Sequence, residues 1–235
     1  MRKSRIVVMT GAGISAESGV RTFRDNDGLW ESHRIEDVAT PEAWNRDPSL
    51  VWNFYQARRN QLLQVGPNPA HFALARLESD VKSFTLITQN VDDLHERAGS
   101  SSVVHMHGSL RSLRCEKTSK IEVRMEDSDL DEDFVYCNCC AEASRMRPDI
   151  VWFGEIPMKM DEIYRSVESC DVFIVIGSSG HVYPAAGLVN LANSFGTRSI
   201  LVNSEIPING HHFDEAHIGK AGELLPDLVR SWLTD

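Results

Sequence analysis

The sequence predicts an α/β fold, a doubly wound parallel sheet with a small cysteine-rich insertion and a helical module beside it. Three observations point there. Short apolar runs at residues 6–9, 84–87, 172–176 and 200–202 are bounded by Gly, Ser, Thr or Asn, with helical patterns between several of them. That alternation is how parallel strands joined by crossover helices read. Each run ends in polar residues ("TGAG", "TQNVDD", "GSSG", "NSE"), and in open parallel sheets the ligand crevice lies beyond the carboxyl ends of the strands, so these tails are expected to converge on one site. Four of the five cysteines crowd between Cys115 and Cys140, a stretch that interrupts the strand and helix pattern.

The first run leads into "TGAGISAESG", where Gly11, Gly13 and Ala16 fit G-x-G-x-x-G/A directly after a strand. Glycine permits the tight turn there and lets backbone N–H groups and a helix N-terminus approach a pyrophosphate. The sheet is therefore expected to be Rossmann-like, although a tight strand-to-helix turn without a ligand would look the same at these positions. A hydride-transferring enzyme would carry an acidic ribose ligand at the end of the next strand, about 20 residues on. Here that distance lands in "GLWESHR", which ends no apolar run. Asn203, Ser204 and Glu205, after the fourth run, are the candidates for holding the ribose. No Gly-Lys-Ser/Thr follows the loop, which excludes a Walker-type nucleotide site. The arm behind it, Thr22-Phe23-Arg24-Asp25, has the means to act on a dinucleotide, since Arg24 can meet phosphate oxygens and Phe23 can cover a ring. The competing assignment is a solvated loop.

Residues 30–80 carry several Trp and Arg with a helical stretch near 48–65, and read as a helical module. On that helix Tyr55 and Arg58 are three apart and share a face. A phenol beside a guanidinium makes a carboxylate clamp; the alternative is a core tyrosine and a surface-paired arginine. After the second run come His105 and His107. Histidine suits general-base work at neutral pH, but in a strand these two point the same way, so spacing does not choose between them. Residues 109–148, cysteine-rich and acidic ("EDSDLDED"), read as an insertion, leaving 1–108 and 149–235 as the sheet domain. "DIVWFGE" reads as a buried strand on its apolar character.

At 235 residues and 42% hydrophobic, the chain can bury one sizeable core plus a small module. Its formal net charge is −10, from 24 basic and 34 acidic residues, which argues against nucleic acid or anionic lipid as a general partner. The start, "MRKSRIVVMTGAG", has only four apolar residues in a row, too few for a signal-peptide core or a membrane span. The expectation is a cytoplasmic protein with no membrane partner. Cysteines crowded in this way fit a metal site in a reducing compartment better than a disulfide framework.

The blocks "GAGISAESGVRTFRDNDGLW", "TQNVDDLHERAG", "HMHGS", "RPDIVWFGE", "GSSGHVYPAA" and "NSE", in this order and spacing, resemble the sirtuins, NAD-dependent protein lysine deacylases. The likeness spans residue 6 to about residue 225 and is greatest to the bacterial CobB-type enzymes. It implies that NAD is a consumed co-substrate. Gly11, Ala12, Gly13, Ser15 and Ala16, the arm Thr22, Phe23, Arg24 and Trp30, and Gly177, Ser178, Ser179, Asn203, Ser204, Glu205 and Ala221 would bind it. Gln89 and Asn90 would hold ribose hydroxyls, and Asp92 with Val91 would grip the nicotinamide carboxamide. Phe23 would shield the reactive sugar carbon. The family's base directly precedes Gly-Ser, which singles out His107. Val151, Gly154 and Glu155 would pair with the substrate peptide as an added strand, with Val182 in the opposite wall. Tyr-x-x-Arg at Tyr55 and Arg58 resembles the class that removes succinyl, malonyl and glutaryl groups. Sirtuins usually hold a structural zinc with two C-x-x-C pairs. This chain has Cys115-Glu-Lys-Thr118 and then Cys137-Asn-Cys139-Cys140, so zinc is expected on Cys115, Cys137 and Cys140. The fourth position is left to Cys139, to water, or to a weakened site.

The expected reaction is removal of acetyl and succinyl or malonyl groups from lysine in partner proteins, giving nicotinamide and 2′-O-acyl-ADP-ribose, by a monomer. Mono-ADP-ribosyl transfer needs the same nicotinamide departure with another acceptor. A non-catalytic NAD or ADP-ribose sensor would not require His107.

Overall fold

A computed structural model describes residues 1–20, 29–30, 33–123 and 134–234, without the side chains of 29, 30 and 123. In chain order the elements are β1 (Arg5–Thr10), α1 (Gly13–Ala16), β2 (Leu29–Trp30), β3 (His33–Arg34), α2 (Ile35–Val38), α3 (Pro41–Arg46), α4 (Pro48–Gln64), α5 (Pro69–Asp80), β4 (Ser83–Thr88), α6 (Leu94–Arg97) and β5 (Val103–His105). There follow β6 (Gly108–Cys115), β7 (Ile121–Val123), β8 (Met146–Ile150), α7 (Met160–Ser169), β9 (Val172–Ile176), α8 (Leu188–Ser194), β10 (Arg198–Asn203), β11 (Glu215–Ile218) and α9 (Ala221–Thr234).

Six strands form a parallel sheet in the order β11-β10-β9-β1-β4-β5. The four apolar runs of the sequence are its central strands. They read as unbroken apolar runs because both faces are covered: Ile6 and Val8 of β1 pack with α5 and α9, while Val7 and Met9 pack with α7 and α8. The edge strands β5 and β11 were not visible in the sequence, being short and, in "EAHI", mixed in polarity.

Three consecutive helices start by one device, a polar side chain capping a backbone N–H with proline at the first turn. Thr40 accepts from Ala43 N, Asp47 from Leu50 N and Asn68 from Ala70 N, followed by Pro41, Pro48 and Pro69. Each cap contributes about 1 kcal/mol. The helical region divides between two cores. Helices α2 to α4 bury Val38, Trp44, Trp52 and Tyr55 against Leu110, Leu113 and Cys115 of β6 and Met146 and Ile150 of β8, whereas α5 packs on the parallel sheet. The core of α2 to α4 includes an antiparallel sheet, β7-β6-β8. Buried Arg59 ties α4 to it, donating to the Leu110 carbonyl at 2.8 Å. No helix among the described residues is long and apolar enough to cross a membrane.

Candidate functional site

A cleft of about 1110 Å³ opens at the carboxyl ends of the parallel strands. There β1 and β9 are neighbours, and the chain leaves them toward opposite edges of the sheet, the place where open α/β sheets bind ligands. The glycine loop after β1 crosses the loop after β9 backbone to backbone: Gly11 N donates to the Ile176 carbonyl and Gly13 N to the Gly177 carbonyl, both at 2.9 Å. A Cβ on Gly13 would lie 2.8 Å from Gly177 Cα, and Gly177 has φ +62°. The loop crossing therefore demands glycine by itself, and the case for a ligand rests on what surrounds it. The helix expected after the loop is a single turn, α1. With so short a helix the macrodipole is slight, and backbone N–H groups are what the loop offers an anion.

The tail of β4 supplies the polar floor. Asn90 Nδ2 donates to the Gly11 carbonyl at 3.2 Å and to Ser15 Oγ at 3.0 Å, and Ser15 Oγ donates to Asp92 Oδ2 at 3.0 Å. Asp92 is 5% exposed. Burial pushes its carboxyl pKa up, against the hydrogen bonds from Leu94 N–H and Ser15. Gln89 Nε2 donates to Ser178 Oγ at 3.0 Å, linking this floor to the β9 loop. Asn203 at the end of β10 donates to the carbonyls of Ser178 and Glu205. Ser178, Ser179, Asn203, Ser204, Glu205 and Ala221 line the far end of the same cleft, with Val91 beside the floor.

The two histidines separate in space. His105 lies 2.7 Å from Glu96 through Nε2. Burial works against its charge, but that carboxylate outweighs it and holds the pKa above the ordinary range. His107 lines the cleft, and its Nδ1 lies 3.0 Å from the Gln89 carbonyl. A carbonyl only accepts, so Nδ1 carries the proton and Nε2 is left as the acceptor of a neutral ring. Burial lowers the pKa of His107. Gly108 explains the "HGS" pattern structurally, since at φ +83° a Cβ there would overlap the Asp149 carbonyl.

Tyr55 and Arg58, both buried, line the cleft near Trp152. Trp152 Nε1 donates to Tyr55 Oη at 3.0 Å. Burial raises the Tyr55 pKa, with the Trp152 hydrogen bond and the Arg58 charge opposing. Residues 151–155 are a turn and not the strand expected from their apolar character. Val151 N donates to the His107 carbonyl and Glu155 N to the Trp152 carbonyl, so those two N–H groups are spent within the chain. Among the described residues Gly154, at φ +91°, and the carbonyls of Val151 and Glu155 remain for strand addition. The Glu155 carboxylate is taken by Arg147 and by Trp152 N. Val182, 40% exposed, forms another wall.

Cys115, Cys137, Cys139 and Cys140 bring their four sulfurs within 4.8 Å of one another. Contacts of 3.5 Å (Cys115–Cys137), 3.7 Å (Cys115–Cys140) and 3.9 Å (Cys139–Cys140) match the edges, roughly 3.8 Å, of a tetrahedron with zinc–sulfur bonds of roughly 2.3 Å. Thr118 lies beside the cluster, its hydroxyl 3.1 Å from Cys139 Sγ. The donor set thus fits zinc, with Cys139 as the fourth sulfur.

Thr22, Phe23 and Arg24 fall outside the described residues; Trp30 is described only by its backbone, in β2. Sequence reasoning missed several cleft residues, among them Ile35, Leu62, Leu110, Trp152 and Lys220. The apolar ones look like ordinary core positions, and no local pattern marks them.

A model of the Sir2 family matches residues 11–184. The chain is similar to an NAD-dependent protein deacylase of Yersinia pseudotuberculosis serotype I, 52% identical over 237 residues, covering 100% of this chain and 84% of the relative. An NAD-dependent protein deacylase of Escherichia coli (strain K12) is 49% identical over 241 residues, covering 99% and 84%. Among solved structures, a Sir2 homologue bound to NAD superposes with a TM-score of 0.88 at 42% identity, over 98% of this chain and 90% of the other. A Sir2 complex with a p53 peptide and NAD+ gives 0.83 at 28%, over 98% and 94%.

Proposed function

This chain belongs to the Sir2 family, and from that premise we propose that it is an NAD-dependent protein lysine deacylase acting on acetyl-lysine and on succinyl- or malonyl-lysine. Its partners are proteins that carry acyl-lysine. NAD is consumed, nicotinamide leaves, and the acyl group ends on the sugar as 2′-O-acyl-ADP-ribose beside a free lysine. The observation that carries the reading is the convergence in one cleft of a neutral histidine acceptor, a buried carboxylate floor and a tyrosine–arginine pair.

The acyl oxygen of the modified lysine takes the place of nicotinamide on the sugar carbon, giving an alkylimidate; His107 Nε2 then takes the proton of a ribose hydroxyl so that the 2′-oxygen attacks the imidate carbon, and water completes the release of the lysine amine. A base with a pKa held below the ordinary histidine value is unprotonated at neutral pH and ready to accept. Asp92 and Val91 grip the carboxamide of the leaving nicotinamide, while Gln89 and Asn90 hold ribose hydroxyls. The backbone N–H groups of the glycine loop meet the pyrophosphate, and Asn203, Ser204 and Glu205 hold the adenosine end. By the family resemblance Phe23 would shield the reacting sugar carbon from water, and Arg24 can meet phosphate oxygens. Gly154 and the Val151 carbonyl on one side, and the Val182 segment on the other, flank the substrate peptide. Main-chain recognition of this kind demands little of the peptide's side chains.

Arg58 supplies a guanidinium and Tyr55 a hydroxyl for the free carboxylate of a succinyl or malonyl group. Acetyl lacks that carboxylate and is smaller, so it fits without using the pair. Cys115, Cys137, Cys139 and Cys140 would hold a structural zinc, which would supply a cross-link between β6 and the segment before β8. Four sulfurs leave no open coordination position for chemistry.

The test is to incubate the protein with NAD and one peptide in acetylated and succinylated forms, with and without Arg58→Met. Deacylation of both peptides, with the succinylated one far more dependent on Arg58, is expected. Equal losses on both would remove the clamp. A labelled protein acceptor without deacylation would make the protein an ADP-ribosyltransferase, and binding without turnover a sensor.

A further inference from the structure

The acyl pocket and the peptide wall meet at Trp152, and we propose that this residue positions Tyr55 as a hydrogen-bond donor and thereby sets selectivity for acyl groups ending in a carboxylate. The inference rests on reading Tyr55 and Arg58 as the carboxylate clamp. Trp152 sits 97 positions from Tyr55 in the chain, yet its indole Nε1–H donates to the phenol oxygen at 3.0 Å, with both side chains buried. A phenol oxygen has one proton to give and lone pairs to accept with. An N–H on the acceptor side turns the phenol so that its own proton points away from Trp152. A carboxylate is an acceptor only and needs such a donor.

The indole is held for that task. The Arg147 guanidinium lies 3.5 Å from the centre of its ring, and Trp44 stands beside it at 5.8 Å between ring centres. The Trp152 backbone N–H donates to Glu155 Oε2 at 2.8 Å. Arg147 in turn makes two bonds to the Glu155 carboxylate, at 2.8 and 2.9 Å, and one to the Ile150 carbonyl at 2.8 Å. Ring face, backbone and turn are therefore fixed together, so the N–H direction is set by a network on the peptide side of the cleft. Hydrogen bonds in such a network reinforce one another in a low-dielectric interior. Trp152 touches no reacting atom in this account; it acts through Tyr55 and is a positioning residue.

Trp152→Phe keeps a ring for Arg147 to stack on and deletes the N–H. The measurement is kcat and KM on succinylated and acetylated forms of one peptide. A neutral hydrogen bond of ordinary strength corresponds to a loss of roughly two- to tenfold. We expect a fall of that size in the ratio of succinyl to acetyl kcat/KM, carried mainly by the succinyl KM. In a Tyr55→Phe background the same substitution should leave the ratio unchanged. Equal effects on both peptides, or an undiminished effect in the Tyr55→Phe background, overturn the inference. Tyr55→Phe alone keeps the two readings apart. If it leaves the ratio untouched, the clamp itself fails; if it shifts the ratio while Trp152→Phe does not, only the positioning role fails. Should Trp152→Phe not fold, Arg147→Met loosens the indole without removing its N–H and is expected to lower the same ratio, and an unchanged ratio there overturns the inference equally.

Discussion

Acid is expected to lower the stability of this protein through two buried histidines outside the cleft lining described above. His71 on α5 and His95 on α6 are 0% and 1% exposed, with ring centres 4.9 Å apart. His71 Nδ1 accepts from Asn68 N, and His95 Nε2 meets Thr10 Oγ1; His71 Nε2 and His95 Nδ1 have no partner among the described residues. Burial lowers the pKa of His71 to about 4 and, with the nearby His71 and His105, that of His95 to about 3. In the unfolded chain both return to about 6.5. Because the folded values are the lower ones, the unfolded state binds the extra protons, and stability is lost as pH falls from about 6.5 toward 4, with no contribution above that window. Each histidine costs up to about 1.4 kcal/mol per pH unit. At pH 5 that is about 2 kcal/mol each, about 4 together, set against a total domain stability of roughly 5–15 kcal/mol. Urea unfolding at pH 7.5, 6.5, 5.5 and 5.0 measures it, comparing the parent with a His71→Asn, His95→Gln double variant that keeps acceptor and donor in place. The parent should lose about 4 kcal/mol relative to the variant across this range. Other groups cancel in that difference. Parallel curves would mean that the pair does not change its proton affinity on folding, and the reasoning fails.

Three further outcomes are expected. The acid limb of the kcat/KM profile should lie below the ordinary histidine pKa, because burial lowers that of His107. His107→Ala should cost about a hundredfold or more and His105→Ala much less, and a limb above the ordinary value would exclude His107 as the base. Protein purified without added zinc should carry about one zinc per chain, with Cys139→Ser lowering the content and Thr118→Ala leaving it unchanged; metal analysis of the three proteins decides this. Gly13→Ala, whose new Cβ would stand 2.8 Å from Gly177 Cα, should cost about 1–3 kcal/mol. At Gly66, where a Cβ meets nothing within 4 Å, the same change should leave the thermal midpoint nearly unmoved.

Much of the fold was legible because both faces of the central strands are covered, which writes β1, β4, β9 and β10 as plain apolar runs. The edge strands carry no such signature, and only pairing with a neighbour makes them strands. The helical region read as one module because periodicity reports that a helix has an apolar side without saying which core it meets; α4 and α5 face different sheets. Within the candidate site, residues close in sequence to a strand end could be read from the chain. The ambiguity between His105 and His107 could not be resolved that way, since it depends on Glu96 and Gln89, which arrive from another segment. The fourth sulfur was open for a different reason: Cys139 enters the cluster through the local path of the 137–140 turn, which residue spacing does not fix. Residues 151–155 looked like a strand because a turn that buries Trp152 against Tyr55 is as apolar as a strand.

The hydrogen bond that fixes the tautomer of His107 also spans a seam. His107 lies between β5, an edge strand of the parallel sheet, and β6, the central strand of the antiparallel one. Its carbonyl accepts from Val151 N, while its ring Nδ1 donates to the carbonyl of Gln89, which follows β4 of the parallel sheet. The base and the peptide wall thus share one anchor, and the latch to the nucleotide side is the His107–Gln89 contact together with Leu110 N on the Val91 carbonyl at 2.8 Å and Arg111 on Asp93 at 3.1 Å. The contact at Gln89 is the one that holds the ring in the orientation in which Nε2 accepts. Joined in this way, the aim of the base is tied to the same β4 tail whose Asn90 braces the glycine loop at the Gly11 carbonyl.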